Sequence, residues 1–255
     1  MSRKIKQYGW TPDLPDHRDH LYAAPIVHIA KLPPKADLRT KCPPVYDQGQ
    51  LGSCTANAIG AAIQFERRKQ KLQPDFVPSR LFIYYNERVM EHTVSSDSGA
   101  QIRDGIKSVA SLGDCPEKEW PYDIAKFADK PGTNCYKDAI KYQAVQYQRV
   151  PQVLNQLKGC LASGYPFVFG FSVYTEFENP DTVGKTGILN MPGPKEKLLG
   201  GHAVLCVGYD DTTQRFTVRN SWGNKWGIKG YFTMPYSYLT DSNLADDLWT
   251  IRVME

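Results

Sequence analysis

Gln48-Gly-Gln-Leu-Gly-Ser-Cys-Thr-Ala-Asn-Ala-Ile-Gly-Ala-Ala-Ile-Gln-Phe65 is the stretch on which the rest of the chain is organised. A Gly-rich turn runs directly into small and apolar residues. Ala58, Ala61, Ala62 and Phe65 recur at helical spacing, so the pattern predicts a helix with Cys54 at or near its N-terminus. A thiol in that position is a candidate nucleophile, because unpaired backbone N–H groups and the positive end of the helix dipole favour thiolate over thiol. Gln48, six residues earlier, offers a side-chain amide able to donate a hydrogen bond beside the sulfur.

Working outward, residues 1 to 36 are rich in Pro, Asp and His with little periodicity. Trp10-Thr-Pro-Asp-Leu-Pro-Asp-His-Arg-Asp19 reads as an extended arm that needs another surface to be ordered. The helical pattern continues from Ser79 to about Glu91 and from Gln101 to Leu112, where Gly113 ends it. Near Tyr142 the period changes. Tyr142–Val150 alternates like a strand, Gln152–Ser163 suggests a short helix, and strands are predicted at 166–173, 202–209, 215–220, 230–234 and 247–253. A helical half followed by an antiparallel half is an α+β arrangement. It divides into the arm 1–36, a helical lobe 37–141 and a β lobe 142–255, with a groove between the lobes as the natural binding site.

The 255 residues carry a net charge of +4, with 41% hydrophobic and 23% charged residues. The charge is too small and dispersed to argue for nucleic acid, and no apolar run approaches the roughly 20 residues of a membrane span. Arg67-Arg68-Lys69-Gln70-Lys71 is read as surface decoration of the last turn of the Cys54 helix, where cations suit the dipole. The first residues lack the apolar core of a secretory signal, and the simpler expectation is a cytoplasmic protein. Six cysteines show no Cys-x-x-Cys pair and no zinc-site spacing, so neither a metal nor another cofactor is expected. Their pairing is not fixed by sequence.

Thiol acyl transfer needs a Cys at a helix start, a His to move its proton, and a polar residue to orient that His. Cys54, His202 in Gly-Gly-His-Ala-Val and Asn220 in Arg-Asn-Ser-Trp-Gly supply these types. An Asn oxygen accepting from the far ring N–H fixes the tautomer without adding a charge, and Trp222 is placed to cover that bond. Each residue alone has a plainer reading, as a buried Cys, a structural His or a turn Asn. Their conjunction is what points to chemistry.

Together the motifs resemble those of the papain-like cysteine peptidases. Gln48-Gly-x-x-Gly-Ser-Cys is similar to the family's nucleophile motif, and Asn220-Ser-Trp-Gly-x-x-Trp-Gly-x-x-Gly-Tyr to its orienting-Asn motif. His202 follows Cys54 by 148 positions and Asn220 by 166, against a family separation of about 130 to 150 residues. The resemblance runs from about Leu32 to Ile251. It implies a two-lobed fold and peptide hydrolysis by Cys54 as nucleophile, His202 as acid/base and Asn220 as orienter. Gln48 and the Cys54 backbone N–H would form the oxyanion hole. It also implies a thiolate–imidazolium pair, a peptide-pairing stretch at Ser98, Gly99 and Ala100, and a pocket lined by Gly170, Gly201 and Ala203. Asp247 is expected at the surface end of a strand; at the pocket floor it would instead select basic side chains. Leu51 and Thr55 depart from the pattern, where the family has a disulfide-forming Cys and an aromatic. A family disulfide is therefore missing, which suits a reducing compartment. Residues 1–36 do not show the pattern of the family's long helical prosegment, and the arm is similar to the short segment of the bacterial branch exemplified by xylellain. Tyr8 to Asp19 is expected to cover part of the groove. The same motifs would serve an amidase or transpeptidase, or persist in a silent binding module.

Overall fold

A computed structural model describes residues 6–25 and 29–255. The remaining arm positions, 1–5 and 26–28, lie outside the described residues, and the reading of the extreme N-terminus lies there with them. In chain order the elements are β1 (Lys35–Asp37), α1 (Cys54–Lys69), α2 (Arg80–Met90), α3 (Ile102–Leu112), α4 (Thr133–Ala139), β2 (Ala144–Arg149) and α5 (Leu154–Ala162). They continue with β3 (Phe167–Tyr174), α6 (Val183–Thr186), β4 (Leu198–Asp210), β5 (Arg215–Arg219), β6 (Tyr231–Pro235), α7 (Tyr236–Thr240) and β7 (Ala245–Met254). The fold is α+β: helices dominate the first half, and six of the seven strands of one antiparallel sheet lie in the second.

Helix α1 is the axis of the molecule. Every residue from Cys54 to Arg67 is buried, so the helix is covered on all sides, as its small residues Ala56, Ala58, Gly60, Ala61 and Ala62 permit. It packs on α2 and α3 on one side and on β4 and β7 on the other. The basic run is therefore only partly surface decoration. Arg67 is buried, with its guanidinium stacked against Phe76 and Tyr142 and donating to the carbonyls of Pro74 and Glu255.

Helix α2 starts where Ser79 accepts from the Phe82 N–H, an ordinary N-cap, and α3 ends at Gly113, whose φ of 75° suits glycine. The sheet order is β2-β7-β3-β4-β5-β6, and β1 pairs with the far end of β4 through Lys35↔Asp210, Ala36↔Tyr209 and Asp37↔Gly208. Helix boundaries fall within two residues of those predicted. Strand β4 begins four residues before the predicted start, and β1, α4, α6 and α7 were not foreseen. β1 is three residues long behind Pro33-Pro34, and its extended form is held by the neighbouring strand rather than by any period of its own.

Candidate active site

Cys54 is the first residue of α1, with Ser53 as N-cap, and its side chain is fully buried. Ser53 is held from outside the helix by the Tyr122 hydroxyl and from within it by Asn57, whose amide donates to the Ser53 carbonyl at 2.9 Å. His202 sits near the start of β4, opposite Phe171 of β3, and is also fully buried. The two lobes meet at this point. The backbone N–H groups that favour the Cys54 thiolate include that of Ala203, the neighbour of His202.

The His202 ring is oriented by Asn220, whose Oδ1 lies 2.8 Å from Nε2. The same oxygen accepts the Ser221 N–H at 2.8 Å. Because a backbone donor can only be answered by an acceptor, the Asn oxygen faces the ring, Nε2 carries the proton, and Nδ1 is left as the basic nitrogen. Nδ1 is buried and has no hydrogen-bond partner. Phe171, Phe177, Trp222 and Tyr8 surround the ring, with Trp222 at 5.3 Å between centroids, as expected for a cover over the His–Asn bond.

Gln48 is equally enclosed. Its backbone N–H donates to the Ser221 carbonyl at 2.9 Å, Ser221 Oγ donates to its Oε1 at 2.6 Å, and its Nε2 donates to the Leu51 carbonyl at 2.9 Å. One amide hydrogen is thus committed to Leu51, and the other remains for a ligand. Ser221 is a site residue the sequence reading missed. It lies in the Asn-Ser-Trp motif, but its role appears only when 46–48 and 221–223 lie side by side.

The arm fills the space over these groups. Trp10 bridges Ala100 in parallel: Ala100 N–H donates to Gly9 O at 2.8 Å, and Thr11 N–H to Ala100 O at 3.1 Å. Trp10 N–H donates to Gly201 O at 2.9 Å. The indole lies where Gly170 and Gly201 leave room, since a Cβ on either would come within 1.9 and 2.5 Å of ring atoms. Its Nε1–H donates to Asp247 at 3.0 Å. Gly99, Ala100, Gly170, Gly201 and Ala203 are thus brought to one groove. Ser98 is not turned into it: its hydroxyl bonds within its own loop, to Thr93 and the Gly99 carbonyl.

Asp247 is a correction. It is fully buried instead of surface-lying. The register between β3 and β7 shifts between Val168 and Gly170, and Asp247 takes a φ of 56° at that bulge, which turns its carboxylate inward. There it accepts from Trp10, from the Asp13 N–H at 2.7 Å and from Arg149 at 3.2 Å. Asp13 in turn accepts from Trp249 Nε1 and from the Arg103 N–H at the start of α3. Asp19 joins Arg103 at 2.6 Å and Arg149 at 3.4 Å. At the other end Tyr8 donates to Glu178 at 2.6 Å. None of these partners was foreseen, because each joins positions far apart in sequence.

Under this cover burial acts against the thiolate–imidazolium pair implied by the resemblance. Burial pushes the Cys54 thiol up to about 12 and the His202 imidazole down to about 4, so each is driven toward its neutral form. The Gly9 backbone N–H lies beside the Cys54 sulfur.

A family model described as papain family cysteine protease matches residues 32–249. The chain belongs to the papain family of cysteine proteases. Xylellain, a cysteine protease from Xylella fastidiosa, is 51% identical and superposes with a TM-score of 0.92, covering 100% of this chain and 99% of that one. An uncharacterized peptidase C1-like protein of Acanthamoeba polyphaga mimivirus is 49% identical over 81% of this chain and 68% of its own length. Chymopapain of Carica papaya is 28% identical over 86% of this chain, which spans 58% of chymopapain. This papain-family chain carries no cluster of His, Cys, Asp or Glu among the described residues fit to hold a metal ion. Among those residues no helix is long and apolar enough to cross a membrane.

Proposed function

We propose that the chain is an endopeptidase that cuts peptide bonds through a thioester on Cys54, and that its own arm restrains it. With the arm displaced, water reaches the cleft and the penalty on the charged pair falls. Nδ1 of His202 takes the Cys54 proton, and the sulfur attacks the scissile carbonyl. The developing oxyanion is met by the uncommitted Gln48 amide hydrogen and the Cys54 N–H, each donor contributing about 3 kcal/mol. The imidazolium protonates the leaving amine, and water then hydrolyses the thioester. Asn220 keeps the ring in the tautomer this requires, and Trp222 keeps water off its bond.

The observation that carries this reading is the enclosure of Cys54, His202, Asn220 and Gln48 at one lobe junction, with a peptide segment already paired to Ala100 and Gly201 beside them. The segment is parallel to Ala100, which places an N–H where a substrate must present a carbonyl carbon. That orientation supports restraint in place of self-cleavage at Gly9. Asp247, with Gly170 and Gly201, supports a preference for a basic residue two positions before the cut bond.

The test is turnover of fluorogenic dipeptides by the full chain and by a chain lacking residues 1–24. Peptidase activity that is stopped by an epoxide thiol inhibitor, higher without the arm, and better with arginine than with leucine at the second position is expected. No turnover in either form overturns the enzyme reading in favour of a binding module. Product that forms only with added amines favours a transpeptidase.

A further inference from the structure

Away from the cleft, two cysteines lie together in one small buried cluster. Cys115 follows the loop that closes α3, and Cys135 lies in α4. Both are buried, in a small cluster with Phe82 and Ala139 that is separate from the main core. The Cys115 thiol is within hydrogen-bonding reach of the Cys135 sulfur. Both backbones are pinned: the Cys115 carbonyl accepts from the Ser79 N–H at 2.9 Å, and the Cys135 N–H donates to Gly132 O at 2.9 Å. Cys42, Cys160 and Cys206 donate to the carbonyls of Leu38, Tyr165 and Gly208; Cys135 also reaches the Glu119 carbonyl, at 3.7 Å, from within the cluster it shares with Cys115. All six cysteines are thiols in this structure.

We propose that Cys115 and Cys135 form a disulfide under oxidising conditions. The bond closes a loop of about 20 residues, a length at which a cross-link removes substantial entropy from the unfolded chain. The oxidant is a small-molecule disulfide such as oxidised glutathione. Cys135, the less enclosed of the two, loses its proton and attacks one glutathione sulfur, releasing the other half as thiol. Cys115 then loses its proton and attacks the Cys135 sulfur of the mixed disulfide, releasing the second glutathione thiol. Two S–H bonds of the protein are exchanged for one S–S bond, and two glutathione thiols form.

The position of the loop gives the bond a consequence for the cleft. Residues 115–135 carry Trp120, whose carbonyl accepts from Ser79 at 2.7 Å, and Phe127, whose carbonyl accepts from Arg88. They also carry Tyr122, whose hydroxyl meets Ser53 and donates to the Gln48 carbonyl at 3.0 Å. Ser53 is the N-cap of the Cys54 helix and Gln48 the proposed oxyanion donor. The disulfide would therefore brace the wall behind the nucleophile while leaving Cys54 itself unpaired.

The experiment refolds the reduced full-length chain in reducing and in oxidising glutathione buffers. Thiols are then counted under denaturant, peptides mapped without reduction, and melting recorded. The expected result is a fall from six thiols to four, a cross-linked peptide pair containing Cys115 and Cys135, and a melting temperature about 5 °C higher in the oxidised form. Cys115→Ala should show no cross-linked pair and no oxidation-dependent gain. Six thiols after oxidation, a cross-link between other cysteines, or glutathione adducts alone would overturn the proposal. Should Cys115→Ala not fold, Cys135→Ala and the peptide map of the unaltered chain decide the matter.

Discussion

The cleft and the arm that lies in it are held by different forces. Cys54, His202, Asn220 and Gln48 are fixed by burial in the core, under an aromatic cage that includes Phe171, Phe177 and Trp222. The arm residues from Tyr8 to Tyr22 have no helix or strand of their own beyond isolated bridges. They are ordered by what they touch: one indole in a pocket, backbone bonds to Ala100, Gly201 and Arg149, and carboxylates bonded to Arg103 and Arg149. Removing core contacts unfolds a protein, whereas removing borrowed contacts releases a segment. On the function proposed above, the arm is the part of this chain that leaves while Cys54, His202, Asn220 and Gln48 stay assembled, drawing Tyr8 away from the His202 ring as it goes.

That contrast is open to attack from both sides. The largest effect is expected inside the core-held set. Cys54→Ala should lower dipeptide turnover by about 10⁴-fold or more with an unchanged circular dichroism spectrum, and surviving activity would move the chemistry elsewhere. Next comes the anchor of the arm. Trp10→Ala loses the half-buried indole and its bond to Asp247, worth about 3 kcal/mol, so the full-length chain should gain roughly 100-fold in turnover and in Cys54 alkylation. An unchanged rate would show that the arm does not limit access.

The third expectation concerns protonation. With its thiol pushed up to about 12 by burial, Cys54 in the closed chain is protonated at neutral pH, and the reactive thiolate fraction grows as pH rises toward that value. Iodoacetamide labelling of Cys54 in the full-length chain should therefore rise about tenfold per pH unit between pH 7 and 9, and a pH-independent rate would mean that an ion pair already exists under the arm. The smallest effect is at the rim of the arm. Asp19→Asn removes the charge that faces Arg103 and Arg149 while keeping the size of the side chain, and should raise turnover by roughly fivefold, about 1 kcal/mol. A gain equal to that of Trp10→Ala would show that the ion pairs, and not the indole, hold the arm.

The division into helical and sheet halves was legible in the sequence, as were α1, α2, α3 and most of the sheet strands, because a helical or strand period repeats within a few residues. The Cys, His, Asn and Gln set was legible because each sits in a short motif with its own chemistry. Asp247 was misplaced for the opposite reason: its neighbours read as an ordinary strand, and the register shift that turns it inward is a relation between β3 and β7. Ser221 against Gln48, Tyr8 against Glu178, and Asp19 between two arginines escaped notice in the same way.

By itself, then, the amino-acid order determined which segments curl or extend and which side chains are able to do acyl-transfer chemistry, since those follow from neighbours along the chain. Only the tertiary structure decided which contacts hold the arm in the groove, that burial drives thiol and imidazole toward their neutral forms, and that Asp247 turns inward to meet Trp10. Burial and charge pairing belong to atoms brought together from distant parts of the chain, and no local pattern encodes them.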